Sequence, residues 1–474
     1  MIRKPVAWIA AAASASVALC FLFPDSIQQD GGYHYLFARW AFVHPSLFVG
    51  VWARPLFTTL YSLPALGGYP VAKLFTGVIS ALVAWQTFKL SEKLGVERAP
   101  LVIPFLYLQP SFFVLCTDTM TEPLFALVLV IALRLRYAKR AILAAAVLSF
   151  SILARPEGLF ICGIWTLWSL RDWWRLPSER RRINALIFEI TILGLGLVVW
   201  WVAALLITAE PLFIVHNWPP SWPATGTIYG QGRWWNYFVR FAEIVPPLLI
   251  PAFAIGLWLV VSKAGGLREA GTIFLVFFVI HSILRAFGLM GSAGYPRYFV
   301  AISPVLALIT LCGWNRLAMM MTQRVRTAVL GIMLALSTFI CFCYFDGAEW
   351  IRDTRAVNEM HEVAMQNSLP VERFVWSQAY AAIRFDTDPW MNITFSSDHE
   401  RNIQLLRDSN KGTLVLWESR YGPIWHHVNP ADFETAGYEL IAKREFVLKG
   451  YVLPRSFFGF GGPRHQQMFL FYKR

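Results

Sequence analysis

The chain carries little charge for its length. Only 15% of its 474 residues are charged, whereas 57% are hydrophobic, and its mean hydropathy is +0.49. A soluble chain of this length cannot bury so much apolar surface, so the composition excludes a soluble globular protein. The net charge of +13 does not indicate nucleic acid as a partner, because many basic residues lie in short loops between apolar segments.

The sequence also lacks the usual covalent and phosphate-binding motifs. All six cysteines lie in or beside apolar segments and none follows residue 345, which excludes a disulfide framework or a zinc site by spacing. The glycine-rich stretch 459–462 has neither the lysine nor the strand–helix context of a phosphate-binding loop. The two halves of the chain show no evident repeat.

Long apolar segments dominate what is present. They predict a polytopic α-helical membrane protein with about eleven transmembrane helices, several of them shorter than the roughly 20 residues of a straight crossing. The segments 141–154 and 157–170 predict either two full crossings or a re-entrant hairpin. The predicted spans are 5–24, 70–88, 99–116, 121–133, 141–154, 157–170, 183–208, 242–262, 269–287, 297–314 and 327–345.

The distribution of lysine and arginine predicts the orientation of these spans. With the amino terminus inside, the inside loops carry nineteen basic residues, and the outside segments before the tail carry six. This bias follows the positive-inside rule. Together with the absence of a eukaryotic targeting signal, it indicates a bacterial inner membrane, with the outside segments in the periplasm.

Two long segments and the tail lie outside in this topology. The chain thus divides into a transmembrane module, residues 1–345, with external loops 25–69 and 209–241, and an external domain, residues 346–474. The aromatic stretch 33–42 predicts a helix lying at the membrane interface. In the tail, strand-like runs at 373–377, 413–418, 438–441 and 467–472 alternate with helix-like runs at 350–367 and 399–408, which predicts a small α/β domain.

Acidic residues far apart in sequence gather on the outer face. Asp30 follows the first span and precedes two glycines, where it is either a functional carboxylate or the N-cap of the next helix. Asp118 and Glu122 flank a tight outside turn and would share one face if that turn is helical. A cap explains Glu122 but not Asp118. Because carboxylates near hydrocarbon are costly, this gathering indicates chemistry at that face.

Arginines accompany these carboxylates. Arg155 and Glu157 form the tip of the hairpin at 141–170, where they pair with each other or Arg155 faces a lipid headgroup. Arg297 follows a glycine-rich stretch at the outside end of a span. It either snorkels to lipid phosphate or grips the phosphate of a lipid-linked substrate with its planar fork.

These segments together resemble a known family. Asp30 in an early external loop, TEPLF at 121–125, ARPEGLF at 154–160 and GYPRYFVAISP at 294–304 are similar to the GT-C glycosyltransferases that use polyprenyl-phosphate sugars. Protein O-mannosyltransferases, lipid A aminoarabinose transferases and GPI mannosyltransferases belong to this class. The resemblance covers roughly residues 1–345, and it rests on the order and shared sidedness of the motifs.

The resemblance implies inverting transfer of a sugar, a hexose such as mannose or a pentose, from a polyprenyl-phosphate donor to a lipid, glycan or protein acceptor. Asp30 matches the family's general base. Asp118 and Glu122 would position the acceptor or help to bind a metal. Sequence leaves open whether Mg²⁺ or Mn²⁺ binds, with Asp30 and Asp118 as candidate ligands. The remaining candidates for substrate binding are Arg54, Arg155, Glu157, Arg297, His216, Tyr229 and Arg233.

A different class of membrane protein remains as the alternative. A transporter or flippase of lipid-linked saccharides would also have many spans and intramembrane arginines. Against it, the charged residues gather at one face rather than at the midplane, and no repeat is evident. The sequence therefore favours the glycosyltransferase.

Overall fold

The computed structural model describes residues 5–22, 27–219, 222, 229–262, 267–346, 350–392, 394–448 and 464–474. The glycine-rich stretch 459–462 and part of the second external loop, residues 220–221 and 223–228, lie outside the described residues. So does the end of the first predicted span, residues 23–24.

Helices form most of the amino-terminal module, because its segments are long, apolar and rich in leucine, alanine and phenylalanine. They are α1 (Pro5–Leu22), α2 (Gln29–Trp40), α3 (Pro55–Leu66), α4 (Tyr69–Lys93), α5 (Val102–Tyr107), α6 (Pro110–Leu115), α7 (Glu122–Tyr137), α8 (Ala141–Ser149), α9 (Ser151–Ala154), α10 (Gly158–Trp174), α11 (Ile183–Ile192), α12 (Leu195–Thr208), α13 (Phe213–His216), α14 (Asn236–Val239), α15 (Ile250–Ser262), α16 (Arg268–Phe287), α17 (Ser303–Ala318) and α18 (Gln323–Asp346).

Each predicted span contains one of these helices or a broken pair of them. By length and composition, five helices among the described residues are long enough to cross a membrane, and six if the pair α11 and α12, bent by 46°, forms one span. The other spans are shorter or interrupted. For example, the predicted span 99–116 breaks between α5 and α6 at Gln109, because Pro110 disfavours helical backbone in the residue before it. The number of crossings remains a prediction.

Small residues allow the closest helix contact in the module, between α15 and α17. A Cβ atom at Gly256 would lie 1.9 Å from the carbonyl oxygen of Ile309, and one at Gly313 would lie 1.7 Å from that of Ala252. Neither glycine tolerates a side chain, so the two backbones touch as in small-residue packing of membrane helices.

The carboxy-terminal residues form the predicted α/β domain. Its helices and strands are α19 (Trp350–Gln366), β1 (Arg373–Trp376), α20 (Ala379–Arg384), α21 (His399–Asp408), β2 (Thr413–Glu418), α22 (Tyr421–Trp425), α23 (Pro430–Thr435), β3 (Glu439–Leu448) and β4 (Arg464–Tyr472). The sheet order is β1-β2-β4-β3, with β1 and β2 parallel and the other pairs antiparallel. Every residue of β2 is buried, as expected of a central strand covered on both faces.

Helix α2 connects the domain to the module. The helix predicted at 33–42 is present as part of α2, and its side chains Tyr35, Leu36 and Ala38 are buried by the protein itself. Its position at the membrane interface stays a prediction. The side chain of Gln29 accepts a hydrogen bond of 3.0 Å from the backbone of Ala379 in the domain. The domain therefore packs directly on the helix that carries Asp30.

Candidate active site

A cavity of about 470 Å³ opens where the carboxy-terminal domain meets the helical module, and we call it the first cavity. On the module side its walls come from the start of α2, the loop before α3, the turn between α9 and α10, the end of α16 and the segment before α17. On the domain side they come from Ser377, Tyr421, Trp425 and His426. The residues that bear on its chemistry are Asp30, His34, Arg54, Arg155, Glu157, Tyr229, His281 and Arg297. Residues separated by more than 250 positions therefore share one pocket.

Asp30 reaches this cavity from the first turn of α2. The N-cap position is Gln28, whose side chain makes no capping hydrogen bond, and α2 begins at Gln29. Asp30 is therefore not the cap of its helix. Its carboxylate pairs with the guanidinium of Arg297, which also donates to the side-chain oxygen of Gln28. Because the Asp30 side chain remains 32% exposed, it is accessible to a substrate.

A second ion-pair network holds Arg155. Its Nη2 lies 2.6 Å from Oε1 of Glu157, and its Nη1 lies 2.7 Å from Oε1 of Glu122. The same Glu122 oxygen lies 3.9 Å from Nε of Arg297, and the Glu122 side chain has no exposed surface. Glu122 therefore bridges two arginines instead of contacting the cavity. Beside these carboxylates, the pKa of Arg155 rises above its usual value although burial opposes the charge.

Arg54 is held differently from the other two arginines. Its residue is 8% exposed, and no carboxylate among the described residues lies within ion-pair distance of it. The guanidinium donates to the carbonyl of Val51 at 3.3 Å and lies 5.6 and 5.0 Å from the ring centres of Trp52 and Trp222. Burial lowers the pKa of Arg54 to about 10, so it stays protonated at neutral pH.

The backbone at Arg54 is also unusual. Its φ of 61° and ψ of 90° lie in a region that residues other than glycine rarely adopt. Pro55 follows and opens α3, so the strained residue stands at a fixed helix start. Such strain persists only where surrounding structure enforces it, and it concentrates at functional sites. Here it directs a buried cation into the first cavity.

Asp118 supports the Asp30 turn and does not line the cavity. Its Oδ2 accepts a 3.0 Å hydrogen bond from the backbone of Gln28, and the neighbouring Thr119 hydroxyl donates to the carbonyl of Gly31 at 2.7 Å. A Cβ atom at Gly31 would lie 2.4 Å from Oδ1 of Asp118, so this glycine permits the close approach. Burial raises the pKa of Asp118 to about 7.

Asp118 and Glu122 do not share one face, contrary to the helical-turn prediction. Helix α7 begins at Glu122, and Asp118 lies in the preceding non-helical turn. The two carboxylates therefore have separate partners, Gln28 for Asp118 and Arg155 for Glu122. Neither lines the first cavity, so the structure gives them supporting positions.

Two buried histidines were not found by sequence reasoning. His34 is 3% exposed and His281 is 2% exposed, and both line the first cavity. Both nitrogens of His281 and Nδ1 of His34 lack a hydrogen-bond partner among the described residues. Burial and three nearby arginines hold the pKa of His34 well below its usual value, so it is neutral. Single histidines in α2 and α16 gave no sequence signal of their meeting.

The second external loop contributes only one of its three predicted residues. Tyr229 lines the first cavity, and burial raises the pKa of its hydroxyl well above the usual value. His216 is the last residue of α13, and its exposed side chain pairs with Glu210, which precedes that helix. It does not line the cavity. Arg233 is exposed beside Trp235, 5.7 Å from its ring centre, and also lies outside the lining.

The carboxylates proposed as metal ligands do not fit a divalent ion. Asp30 already pairs with the guanidinium of Arg297. Asp118 already accepts a hydrogen bond from the backbone of Gln28 and interacts electrostatically with the buried Lys73. Within the described ranges, no three His, Cys, Asp or Glu side chains come together as a metal site. Mg²⁺ commonly binds through one or two carboxylates together with water and substrate phosphate, but here Asp30 faces a guanidinium and Asp118 does not line the first cavity. We therefore derive no step through a metal.

The chain has a GT-C-like fold, mostly helical with several apolar helices and a small carboxy-terminal sheet domain. No protein-family model and no curated protein matches the sequence. Solved structures of ArnT from Cupriavidus metallidurans, a GT-C aminoarabinose transferase, share the fold. The structure bound to undecaprenyl phosphate is 12% identical with a TM-score of 0.60, and the apo structure is 13% identical with a TM-score of 0.56. Each match covers 98% of both chains, which confirms the predicted fold, including the tail.

Proposed function

We propose that this protein transfers a sugar from a polyprenyl-phosphate carrier to an acceptor hydroxyl in the first cavity. The observation that carries the proposal is the placement of a reachable carboxylate, Asp30, beside three arginines in one pocket, two of them buried and the third, Arg297, half-buried. The solved relative in fold that binds undecaprenyl phosphate supports a lipid-phosphate carrier of this kind. The positive-inside bias supports a periplasmic site in a bacterial inner membrane.

The charge of the site suits an anionic ligand. Arg54, Arg155 and Arg297 are matched by Asp30, Glu122 and Glu157, but the carboxylates are distributed unevenly. Arg155 contacts two of them, whereas Arg54 contacts none of the described carboxylates. A buried cation without a carboxylate partner is costly, and an incoming phosphate relieves that cost. We therefore assign the first phosphate contact to Arg54, with Arg155 held in place by Glu122 and Glu157.

Asp30 and Arg297 then have different roles in the transfer reaction. An incoming phosphate competes with Asp30 for Arg297, and a bidentate contact to phosphate is favourable for a guanidinium. Released from this pair, Asp30 accepts the proton of the acceptor hydroxyl as its oxygen attacks the anomeric carbon. The bond from that carbon to the phosphate oxygen breaks, and polyprenyl phosphate leaves with the electron pair. Arg54 and Arg297 stabilise the charge that develops on it, and the configuration at the anomeric carbon inverts.

The test is transfer of radiolabelled sugar in membranes that contain the protein. Short-chain polyprenyl-phosphate mannose and polyprenyl-phosphate aminoarabinose serve as parallel donors, which separates a hexosyl from a pentosyl transferase. We expect label to move from one donor into a product that membranes without the protein do not form. If neither donor yields product while a lipid-linked saccharide crosses sealed vesicles, the protein is a transporter and the proposal is wrong.

A further inference from the structure

A second cavity, of about 410 Å³, lies beside the first between the carboxy-terminal domain and the helical module. Residues from α6, α18 and the segment before α17 form its module side. On the domain side it is lined by Asp353 and Thr354 of α19, by Gln378 before α20, and by Arg420, Tyr421 and Trp425 around α22. The volume falls within the roughly 300–1,000 Å³ typical of small-molecule sites.

The two cavities share a wall, and Asp30 with Arg297 is in it. The residues that line both spaces are Gln29, Asp30, Tyr229, Tyr295, Arg297, Tyr421 and Trp425. Arg54, Arg155 and Glu157 line the first alone. The carboxylate of Asp30 is thus accessible from both the first and the second cavity.

The chemistry of the second cavity differs from that of the first. Its domain side has a carboxylate, a hydroxyl, an amide and a guanidinium, from Asp353, Thr354, Gln378 and Arg420, which line the second cavity alone, beside the rings of Tyr421 and Trp425, which line both cavities. The amide nitrogen of Gln378 is an additional donor, because this residue is 3% exposed and that nitrogen has no hydrogen-bond partner among the described residues. A buried donor without a partner is costly, and a ligand oxygen would satisfy it.

This lining suits a hydroxyl-rich ring better than a peptide. A saccharide presents hydroxyls to polar side chains and its C–H face to aromatic rings, and the second cavity is lined by both kinds of group. A peptide commonly binds by adding a strand to a sheet edge. No lining residue of the second cavity belongs to β1, β2, β3 or β4. The cavity therefore offers no strand edge to a peptide.

We propose that the second cavity is the acceptor site and that it holds the saccharide part of a glycan or glycolipid, with one hydroxyl directed at Asp30. This inference rests on the proposed function, because only a transferase needs an acceptor. It gives the carboxy-terminal domain a role, namely to form the outer wall that recognises the acceptor. The donor occupies the other side of the same carboxylate, so the two substrates enter from different cavities.

The test measures binding in each cavity separately, with the full-length protein in lipid nanodiscs. Methyl α-glucopyranoside and a short serine-containing peptide are the probes of the second cavity, read by saturation-transfer NMR. Undecaprenyl phosphate is the probe of the first, read by native mass spectrometry. Ile424 is 52% exposed and, of the two cavities, lines only the second, so Ile424→Trp should narrow that cavity with a larger side chain. Gln378→Leu removes the amide donor of Gln378 from the same cavity. Arg54→Met is the matched change in the first cavity.

We expect Ile424→Trp and Gln378→Leu to reduce the saccharide signal about fivefold or more, roughly 1 kcal/mol or more of binding free energy, and to leave undecaprenyl phosphate binding unchanged. Arg54→Met should do the reverse. A saccharide signal that is absent from wild type, that only Arg54→Met removes, or that the peptide replaces would overturn the inference. Failure of the proposed function has its own signature, which is saccharide binding without any transfer from either donor.

Discussion

The two cavities share Asp30 and part of their lining, but the residues that line each cavity alone differ in charge. The first has three arginines from the helical module, of which two are held by carboxylates and Arg54 is not. The second has a mixed polar and aromatic wall from the carboxy-terminal domain. Under the proposed function, this difference assigns the phosphate-bearing substrate to the first cavity and the hydroxylated acceptor to the second.

The residues of the site also fall into two groups, those that line a cavity and those that hold the lining residues in place. Asp30 and Arg54 line a cavity and have exposed or uncommitted polar atoms. Asp118 and Glu122 are buried behind them and hold the turn of α2 and the arginine pair. Changes in the supporting residues should therefore affect stability, and changes in the lining residues should affect substrate binding or transfer.

Glu122→Gln should have the largest effect on stability. It removes the charge that pairs with Arg155 in a fully buried position, and breaking a buried ion pair costs about 3 kcal/mol. Thermal unfolding in detergent measures the effect. The control is Glu92→Gln, since Glu92 pairs with Lys89 on the surface and its loss should cost less than about 1 kcal/mol. Equal losses in both variants would contradict the supporting role of Glu122.

Arg54→Met should weaken undecaprenyl phosphate binding by about 10- to 100-fold, because a hydrogen bond to a charged group contributes about 1.5–3 kcal/mol. Arg54→Lys should recover part of the loss, since it restores the charge without the planar fork. Native mass spectrometry over a lipid titration gives both affinities. Arg233→Met is the control, because Arg233 is exposed and lines neither cavity. A control that lost as much affinity would place the phosphate elsewhere.

Asp118→Asn should change how stability depends on pH. Burial raises the folded-state pKa of Asp118 to about 7, above its unfolded value near 3.8, so the folded protein binds the extra proton between these values. Stability should then fall as pH rises through this window, by at most about 1.4 kcal/mol per pH unit from this group. Asparagine cannot titrate, so unfolding temperatures measured from pH 5 to pH 8 should fall less in the variant. Parallel curves would contradict a raised pKa.

Much of the fold follows from sequence pattern because hydrophobic periodicity is local. The apolar segments became helices, and the tail runs at 413–418 and 399–408 became β2 and α21 with the predicted limits. The burial of α2 was not predicted, since it depends on a domain more than 300 residues away. The short helices α20, α22 and α23 have too few residues for a periodic signal.

The candidate site was predictable only where charge is unusual in an apolar setting. Asp30, Arg155 and Arg297 stood out on that ground, and the structure brings them into one region with Glu122 and Glu157. His34 and His281 gave no signal, because nothing local shows that α2 and α16 converge. His216 and Arg233 were grouped with the site by loop position, which does not determine the direction of a side chain. The second cavity is formed by tertiary packing and has no sequence signature.

The most direct test of the central claim is single-turnover transfer by Asp30→Asn, measured beside undecaprenyl phosphate binding by the same preparation. Asparagine preserves size but cannot accept the proton, and general-base catalysis typically contributes about 10²- to 10⁴-fold. We expect transfer to fall by about that factor while lipid binding stays within about twofold, or about 0.4 kcal/mol. Transfer at the wild-type rate in a folded, lipid-binding Asp30→Asn protein would contradict the account.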